Sequence, residues 1–437
     1  MRVHLIAPCR EEALRSRTKA SVAPPLGLAI LASVTPGDVE VSLTDENLTP
    51  LDFQRPADLV GITASTHTAT RAYQLADYFR AQGMKVVLGG MHPTALPAEA
   101  GQHADAVVVG EAEDVWGQVL ADVQDGRIQP FYRGQKRLHL AGLPGPRRDL
   151  FQREGYLFPD TIYTTRGCPY GCTFCAVTSF FGGTYRSRPV AEVLAEVDGL
   201  RDRRLVFFVD DNIAAHRGRA KQLFRALAPY KLAWIGQAPV SIAKDEDLLA
   251  QAAASGCLAL FIGFESVSPA SLSAVGKKSN VVEEYEEAIR RIHARGIAIF
   301  GGFIFGLDHD TEDVFEKTVR FAQRARLEGA QFNVLTPYPG TPLSADLERE
   351  GRILTRDWAQ YRGDRVVFAP RLISARRLQE GHDWAWREFY SLGSIWGRVG
   401  LSHPRRLLMW ALNLNYRDDP LSRVLFESLV GRVGRFL

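Results

Sequence analysis

Over residues 1–125, short apolar runs alternate with stretches of helical period. Residues 3–7 form an apolar run, residues 39–43 alternate like a strand, and residues 59–63 are apolar up to a Ser/Thr cluster. Residues 86–88 run into Gly89-Gly90, and residues 106–109 into Gly110-Glu111. Between them, residues 26–34 and 70–82 read as helices, with Gly83 stopping the second. Strands alternating with helices predict a parallel sheet covered on both faces. Ligands of such sheets bind at the carboxyl ends of strands, where the Ser/Thr and Gly clusters fall.

Residues 126–160 lose this pattern. They hold Pro130, Pro144, Pro146 and an Arg-Arg-Asp run at 147–149, and read as a linker. The alternation resumes over residues 161–345. Strands are expected at 161–165, 205–209, 232–236, 258–264, 298–305 and 331–335. Helices are expected at 190–200, 220–227, 247–254, 282–294 and 311–325. Six βα units in a row suit a partial (β/α) barrel better than an open sheet. Residues 346–437 change character. Five of the seven tryptophans lie there, at 358, 384, 386, 396 and 410. Residues 424–436 carry apolar and Arg positions at helical spacing. A helical cap with Arg398, Arg405, Arg406, Arg423, Arg432 and Arg435 in solvent is one reading. A peripheral membrane surface is the sharper one.

Composition adds mainly exclusions. The chain has 437 residues, 46% hydrophobic and 24% charged, which rules out disorder and a disulfide scaffold. A net charge of +3 gives no ground for nucleic-acid binding. No stretch approaches the roughly 18 apolar residues of a membrane span. Residues 1–7 are too short an apolar run for a secretory signal, so the expected location is the cytoplasm.

Five cysteines are present, and three fall in the segment Gly167-Cys168-Pro169-Tyr170-Gly171-Cys172-Thr173-Phe174-Cys175. Cys-x3-Cys-x2-Cys on one tight loop can hold three irons of a cubane cluster and leaves the fourth open to an exogenous donor. Gly167 and Gly171 let the backbone wrap closely. A structural zinc would want a fourth Cys or His nearby, and the first His after the segment is His216. Cys9 and Cys257 read as buried thiols.

This loop after a strand resembles the signature of the radical S-adenosylmethionine superfamily. The resemblance implies a [4Fe-4S] cluster on Cys168, Cys172 and Cys175. Its open iron would chelate the methionyl group of S-adenosylmethionine, whose reductive cleavage gives a 5′-deoxyadenosyl radical. Phe174 matches the position whose backbone touches adenine. Asp210, Asp211 and Asn212 stand where the superfamily binds the methionyl amine, and Glu265 resembles its ribose-binding carboxylate. Gln237 and Ser241 end the strand between. Phe305 lies on the strand that resembles the one packed against adenine. Thr336-Pro337-Tyr338-Pro339-Gly340-Thr341-Pro342 resembles the turn after the sixth strand.

Residues 1–125 resemble the cobalamin-binding domain that precedes the barrel in part of this superfamily. The matching elements are the loop with Thr63, Ser65 and Thr66, the Gly89-Gly90 loop, and the strand end at Gly110-Glu111. These residues are the expected cobalamin contacts. The Asp-x-His-x-x-Gly motif that supplies a lower axial ligand is absent: Thr44-Asp45-Glu46-Asn47-Leu48 contains no His. His67 and His92 lie at strand ends, and neither is taken as a metal ligand.

The resemblance implies an α/β chain. A Rossmann-like cobalamin-binding domain (1–125) is followed by a linker (126–160), a partial (β/α)6 TIM-type radical barrel (161–345) and a helical C-terminal domain (346–437). It implies a cobalamin-dependent methyltransferase acting on an unactivated carbon of an apolar or other small-molecule or lipid substrate. It also implies an external one-electron reductant of the flavodoxin or ferredoxin type. Peripheral membrane contact through the C-terminal region is a further expectation. Radical rearrangement, cyclisation or oxidation without methyl transfer remains open, as does a non-catalytic iron–sulfur carrier or sensor.

Overall fold

In the computed structural model two six-stranded parallel sheets follow one another along the chain. The structure describes residues 1–10, 21–135, 139–200, 205–400 and 405–417. The helical spacing read at residues 424–436, with Arg423, Arg432 and Arg435, lies outside them.

The first sheet contains β1 (Arg2–Ala7), β2 (Glu40–Asp45), β3 (Leu59–Thr63), β4 (Lys85–Gly89), β5 (Ala106–Val109) and β6 (Phe131–Arg133), in the order β2-β1-β3-β4-β5-β6. The order reverses between β1 and β3, which makes their carboxyl ends a topological switch point. Alternation along each strand explains the two-faced burial. Ile6, Val60, Ile62 and Leu88 pack against α2 (Ala69–Ala81) and residues near α3 (Met91–Ala95) and α4 (Pro97–His103). Val3, Leu5, Leu59, Val87 and Val108 pack against α1 (Leu26–Ser33) and α5 (Trp116–Gln124), with Trp116 1% exposed.

Two boundaries read from sequence shift. β6 lies inside the stretch taken as a linker and completes the first sheet. The expected strand at 161–165 is split into β7 (Thr161–Ile162) and β8 (Thr165–Arg166), and the backbone of Thr164 between them turns to Asp210. β8 pairs antiparallel with β9 (Arg186–Ser187), and α6 (Ala176–Phe181) fills the loop between them.

The second sheet runs β14-β13-β12-β11-β10-β7 in simple succession, the order of a partial barrel. Its strands are β10 (Leu205–Phe208), β11 (Ala233–Ala238), β12 (Cys257–Glu265), β13 (Ala298–Phe305) and β14 (Gly329–Val334). Crossovers are made by α7 (Val190–Asp198), α8 (Arg217–Leu227), α9 (Glu246–Ala254), α10 (Pro269–Ala274), α11 (Tyr285–His293) and α12 (Val314–Arg324). Cys257 is buried in this core. After β14 the Thr-Pro-rich turn ends in α13 (Pro342–Arg349). Thr341 caps it by accepting from the Ser344 N–H at 3.2 Å, with Pro342 in the first turn.

After α13 the chain returns to the first domain at the turn Trp358–Gln360. Trp358 Nε1 donates to Glu99 Oε1 at 2.8 Å, and the Trp358 ring meets His92 edge-on at 5.1 Å. The chain then forms α14 (Ala375–Phe389), α15 (Leu392–Val399) and α16 (Arg406–Asn415). Met409 of α16 and Val399 pack on Ala259 and Ala298, at the amino-terminal ends of barrel strands. A solvated Arg398 is not what is found. Its side chain is buried, donates to the carbonyls of Leu327, Glu328 and Phe389, and lies 3.6 Å over the Phe389 ring. Strand- and helix-end carbonyls at that junction need donors, and a five-donor guanidinium supplies them.

Candidate functional site

The cysteine loop leaves and returns through the β8–β9 ribbon. Gly167 opens it at φ 83°, and a Cβ there would fall 2.2 Å from the Thr184 carbonyl oxygen, so a larger residue cannot pass. The Thr173 N–H donates to the Val275 carbonyl and the Cys175 N–H to that of Cys172, fixing the curl. Cys168, Cys172 and Cys175 line one cavity of about 210 Å³, together with Phe174, Asp211, Asn212, Gln237 and Glu265. Yet among the described residues no three His, Cys, Asp or Glu side chains converge closely enough to hold a single ion. Three thiols lining one cavity suit a cluster in which each binds its own iron. Burial pushes the Cys172 thiol up to about 11 and raises Cys168 as well.

Asn212 Nδ2 lies 3.8 Å from Cys168 Sγ, while its buried Oδ1 has no hydrogen-bond partner. An acceptor left open beside the thiols fits an ammonium donor such as a methionyl amine. Glu265 ends β12 at φ 65°, an uncommon conformation for a non-glycine residue, and accepts from Lys277 Nζ at 2.8 Å. Burial opposes the Lys277 charge, but Glu265 together with the nearby Cys172 and Cys168 holds the ammonium above its ordinary range. Lys277 also lines the cavity. Sequence reasoning passed over it, because a lysine in a Gly-Lys-Lys turn carries no spacing signal.

Three of the expected contacts lie elsewhere. Asp210 is 1% exposed, and its carboxylate accepts from the Thr164 N–H and Oγ1 and from Thr165 Oγ1. It fastens β10 to the break between β7 and β8 and does not line the cavity. Ser241 sits on the turn after β11 and lines a separate surface depression with Val281 and Arg291. Phe305 is buried in the barrel core, stacked on Phe332 at 5.8 Å and edge-on to Phe315 at 5.0 Å.

A second cleft, of about 350 Å³, lies between the two sheets. Gly61, Thr63, Gly89, Gly90 and Gly110 line it from the strand ends of the first domain, and Tyr163, Arg166, Phe181 and Asp211 from the barrel. One arm runs between α1 and α5, walled by Leu26, Ile30, Leu31 and Trp116. Glycine backbone at the strand ends and an apolar arm behind suit a flat macrocycle with an aromatic tail. Gly90, at φ 99°, has no room for a side chain: a Cβ would lie 2.8 Å from the Ala64 carbonyl oxygen and from Thr63 Oγ1.

Ser65 and Thr66 do not line this cleft. Ser65 caps the turn Thr66–Thr68, and Thr66 Oγ1 lies 3.4 Å from His92 Nδ1. His92 is buried against Thr66 and Glu99, and burial lowers its pKa. Burial lowers His67 as well, to about 4. The segment that lacks a histidine motif is tied up internally: Tyr156 Oη donates to Asp45 at 2.8 Å, and Arg71 pairs with Glu46 at 2.7 Å. Cys9 is buried, and its N–H donates to Glu46 Oε2. Glu111 borders the cleft, but both its carboxylate oxygens are taken, one by Arg166 and one by Arg186. Asp211 lines the cysteine cavity and the interdomain cleft alike. Burial raises its carboxyl to about 6, and it accepts from the Gly167 N–H at 3.2 Å.

The family model of the radical SAM superfamily matches residues 162–322, and that of the B12 binding domain matches residues 16–120. A bacteriochlorophyllide d C-12(1)-methyltransferase of Chlorobaculum tepidum is 31% identical over 423 residues, covering 94% of this chain and 91% of the relative. The hopanoid C-2 methylase of Rhodopseudomonas palustris is 29% identical over 354 residues, 77% and 67% of the two chains. Among solved structures, the radical S-adenosylmethionine methyltransferase TsrM of Kitasatospora setae, with cobalamin and a [4Fe-4S] cluster bound, shares the fold. It superposes with a TM-score of 0.70 at 17% identity, over 99% of each chain. The chain therefore belongs to the radical S-adenosylmethionine enzymes that carry a B12-binding domain, with a [4Fe-4S] cluster, S-adenosylmethionine and cobalamin as its cofactors.

Proposed function

We propose that the protein transfers a methyl group to an unactivated carbon of an apolar substrate held between the cysteine cavity and the interdomain cleft. The observation that carries this reading is Asp211, which lines both spaces and so marks where they adjoin. Bound together, the three cofactors supply a carbon-centred radical and a transferable methyl group.

The residues divide by place. Cys168, Cys172 and Cys175 ligate the cluster. Asp211 and Asn212 take the methionyl amine, Lys277 its carboxylate, Glu265 the ribose hydroxyls, and Phe174 and Gln237 border the nucleoside. Thr63, Gly89, Gly90 and Gly110 hold cobalamin through backbone and hydroxyl groups. Phe180, Phe181, Tyr163 and Val209 form the barrel-side wall, which excludes water from the reacting carbon. An apolar substrate accords with that wall and with the two relatives, one named for a bacteriochlorophyllide and one for a hopanoid.

An external flavodoxin- or ferredoxin-type protein supplies electrons, which fits a cytoplasmic location. No described helix is long and apolar enough to cross a membrane. Leu392 and Trp396 are nevertheless exposed one turn apart on α15, a ridge through which the C-terminal region touches a membrane surface.

The test uses anaerobically reconstituted protein with reductant, S-adenosylmethionine and, in turn, a chlorin pigment or a hopanoid. Methyl transfer yields S-adenosylhomocysteine and 5′-deoxyadenosine together with a product heavier by one CH2. Formation of 5′-deoxyadenosine alone, with a substrate that is altered but not methylated, would replace this reading with rearrangement, cyclisation or oxidation.

A further inference from the structure

Two carboxylates of the first domain and two guanidinium groups of the cysteine-loop ribbon meet at the seam between the sheets. Glu111 Oε1 accepts from Arg166 Nη1 at 2.6 Å, and Glu111 Oε2 from Arg186 Nη1 at 2.5 Å. Glu113 Oε1 lies 2.6 Å from Arg166 Nη2. The four side chains are 6, 9, 11 and 13% exposed for Glu111, Glu113, Arg166 and Arg186, so water screens them little.

Three of the four members are held by more than charge. Glu111 follows Gly110, whose φ is 90°, at the end of β5. A Cβ on Gly134 would sit 1.8 Å from the Glu111 carbonyl oxygen, so the exit of the neighbouring strand passes the Glu111 backbone in close contact. The Arg166 guanidinium lies 4.7 Å from the Tyr163 ring and that of Arg186 5.4 Å from the Phe181 ring. Arg166 directly precedes Gly167 and Cys168, and Arg186 stands opposite it across the ribbon. One end of the cluster is therefore built into the strand end that borders the interdomain cleft, and the other into the two strands from which the cysteine loop hangs.

We propose that Glu111, Glu113, Arg166 and Arg186 are positioning residues that hold the iron–sulfur loop at a fixed separation from the cobalamin cleft. The inference rests on the functional reading above. A buried ion cluster adds little net stability compared with apolar packing of equal volume, but its forked geometry permits few alternative registers. Group transfer between two cofactors needs such a register, because a misplacement of about 1 Å can cost on the order of a hundredfold in rate.

Glu111→Gln and Arg166→Lys test it. The first removes one charge at constant size, and the second keeps the charge but loses the fork. Reconstituted wild type and variants would be compared for iron and cobalt content, and for the iron–cobalt separation by pulsed magnetic resonance with both centres paramagnetic. A third readout is methyl transfer from S-adenosylmethionine to reduced cobalamin, measured relative to reductive cleavage of S-adenosylmethionine. Expected are wild-type metal contents, a shifted or broadened separation, and a fall of about tenfold or more in the transfer-to-cleavage ratio in both variants. An unchanged separation and ratio in both overturns the inference, as does loss of iron in both, which would make the cluster a folding element of the loop. Wild-type protein that binds iron and no cobalt overturns the functional reading itself, and is told apart by appearing before any substitution is made.

Discussion

Lys277 Nζ lies 2.8 Å from Glu265 Oε1 on the wall of the cavity that the three cysteines share. The pair is mostly buried, with side chains 15% and 12% exposed. Gly263 makes room for it: a Cβ there would fall 2.2 Å from Glu265 Oε1. Truncating the ammonium leaves a buried carboxylate without its partner, a loss of roughly 1–3 kcal/mol. Lys277→Met is expected to weaken S-adenosylmethionine binding by about 10- to 100-fold while iron content stays at the wild-type level. Lys277→Arg should recover part of the affinity. Equilibrium binding to reconstituted protein checks both, and unchanged affinity in the methionine variant would remove Lys277 from the site.

The Gly90 position gives a cleaner separation of the two cofactors. A methyl group there meets the Ala64 carbonyl oxygen and Thr63 Oγ1, both at 2.8 Å, on a backbone at φ 99°. Gly90→Ala should therefore disturb the loops that border the interdomain cleft, at a strain of about 1–3 kcal/mol, and leave the barrel alone. Desalted protein should keep its iron and its cleavage of S-adenosylmethionine but lose bound cobalamin, read from the visible spectrum. Full cobalamin retention would place that cofactor away from the Gly89-Gly90 loop.

The cysteines should behave as a set. Cys168→Ala, Cys172→Ala and Cys175→Ala each leave two thiols for a cluster that needs three, so each variant should form no 5′-deoxyadenosine under reducing conditions. Product formation by the triple variant, measured by chromatography, would defeat the radical reading altogether.

Much of this architecture is legible in the chain, and what is missed has a common cause. The bounds of β3, β5 and β13 can be read off the sequence because each is an apolar run that stops at a polar or glycine residue. β6 escapes because only Tyr132 of its three residues is buried, so an edge strand made by backbone pairing leaves almost no side-chain pattern. At the cysteine cavity, motif order leads to strand ends that line it but cannot tell which of two adjacent residues looks inward. Asp210 and Asp211 are neighbours, yet Asp210 turns to the threonines of the β7–β8 break and Asp211 to the cavity. Glu111 lies on a loop that borders the interdomain cleft, while its partners Arg166 and Arg186 lie 55 and 75 residues away along the chain, beyond any local pattern. Arg398 is hidden for the same reason. The carbonyls it serves, at Leu327, Glu328 and Phe389, become its neighbours only after the helices dock.

His4 provides a prediction independent of the cofactors. It stands in β1, 1% exposed, with Nε2 2.9 Å from Thr44 Oγ1 and Nδ1 buried without a hydrogen-bond partner. Burial, aided by the positive charge of Arg55, lowers its pKa from 6.5 to about 4. The folded chain thus resists a proton that the unfolded chain accepts. The sign follows from linkage: the neutral ring's contribution is fully present above pH 6.5 and is lost as pH falls from there toward 4. A depression of this size corresponds to ~3 kcal/mol at most once both states have titrated. Urea unfolding of the cofactor-free protein at pH 7, 6, 5 and 4 should show wild type losing stability more steeply than His4→Gln over that window. The gap should approach that figure at the acid end. Parallel curves for the two proteins would mean that His4 is protonated equally in the folded and unfolded chains, and that β1 tolerates a charge in its core.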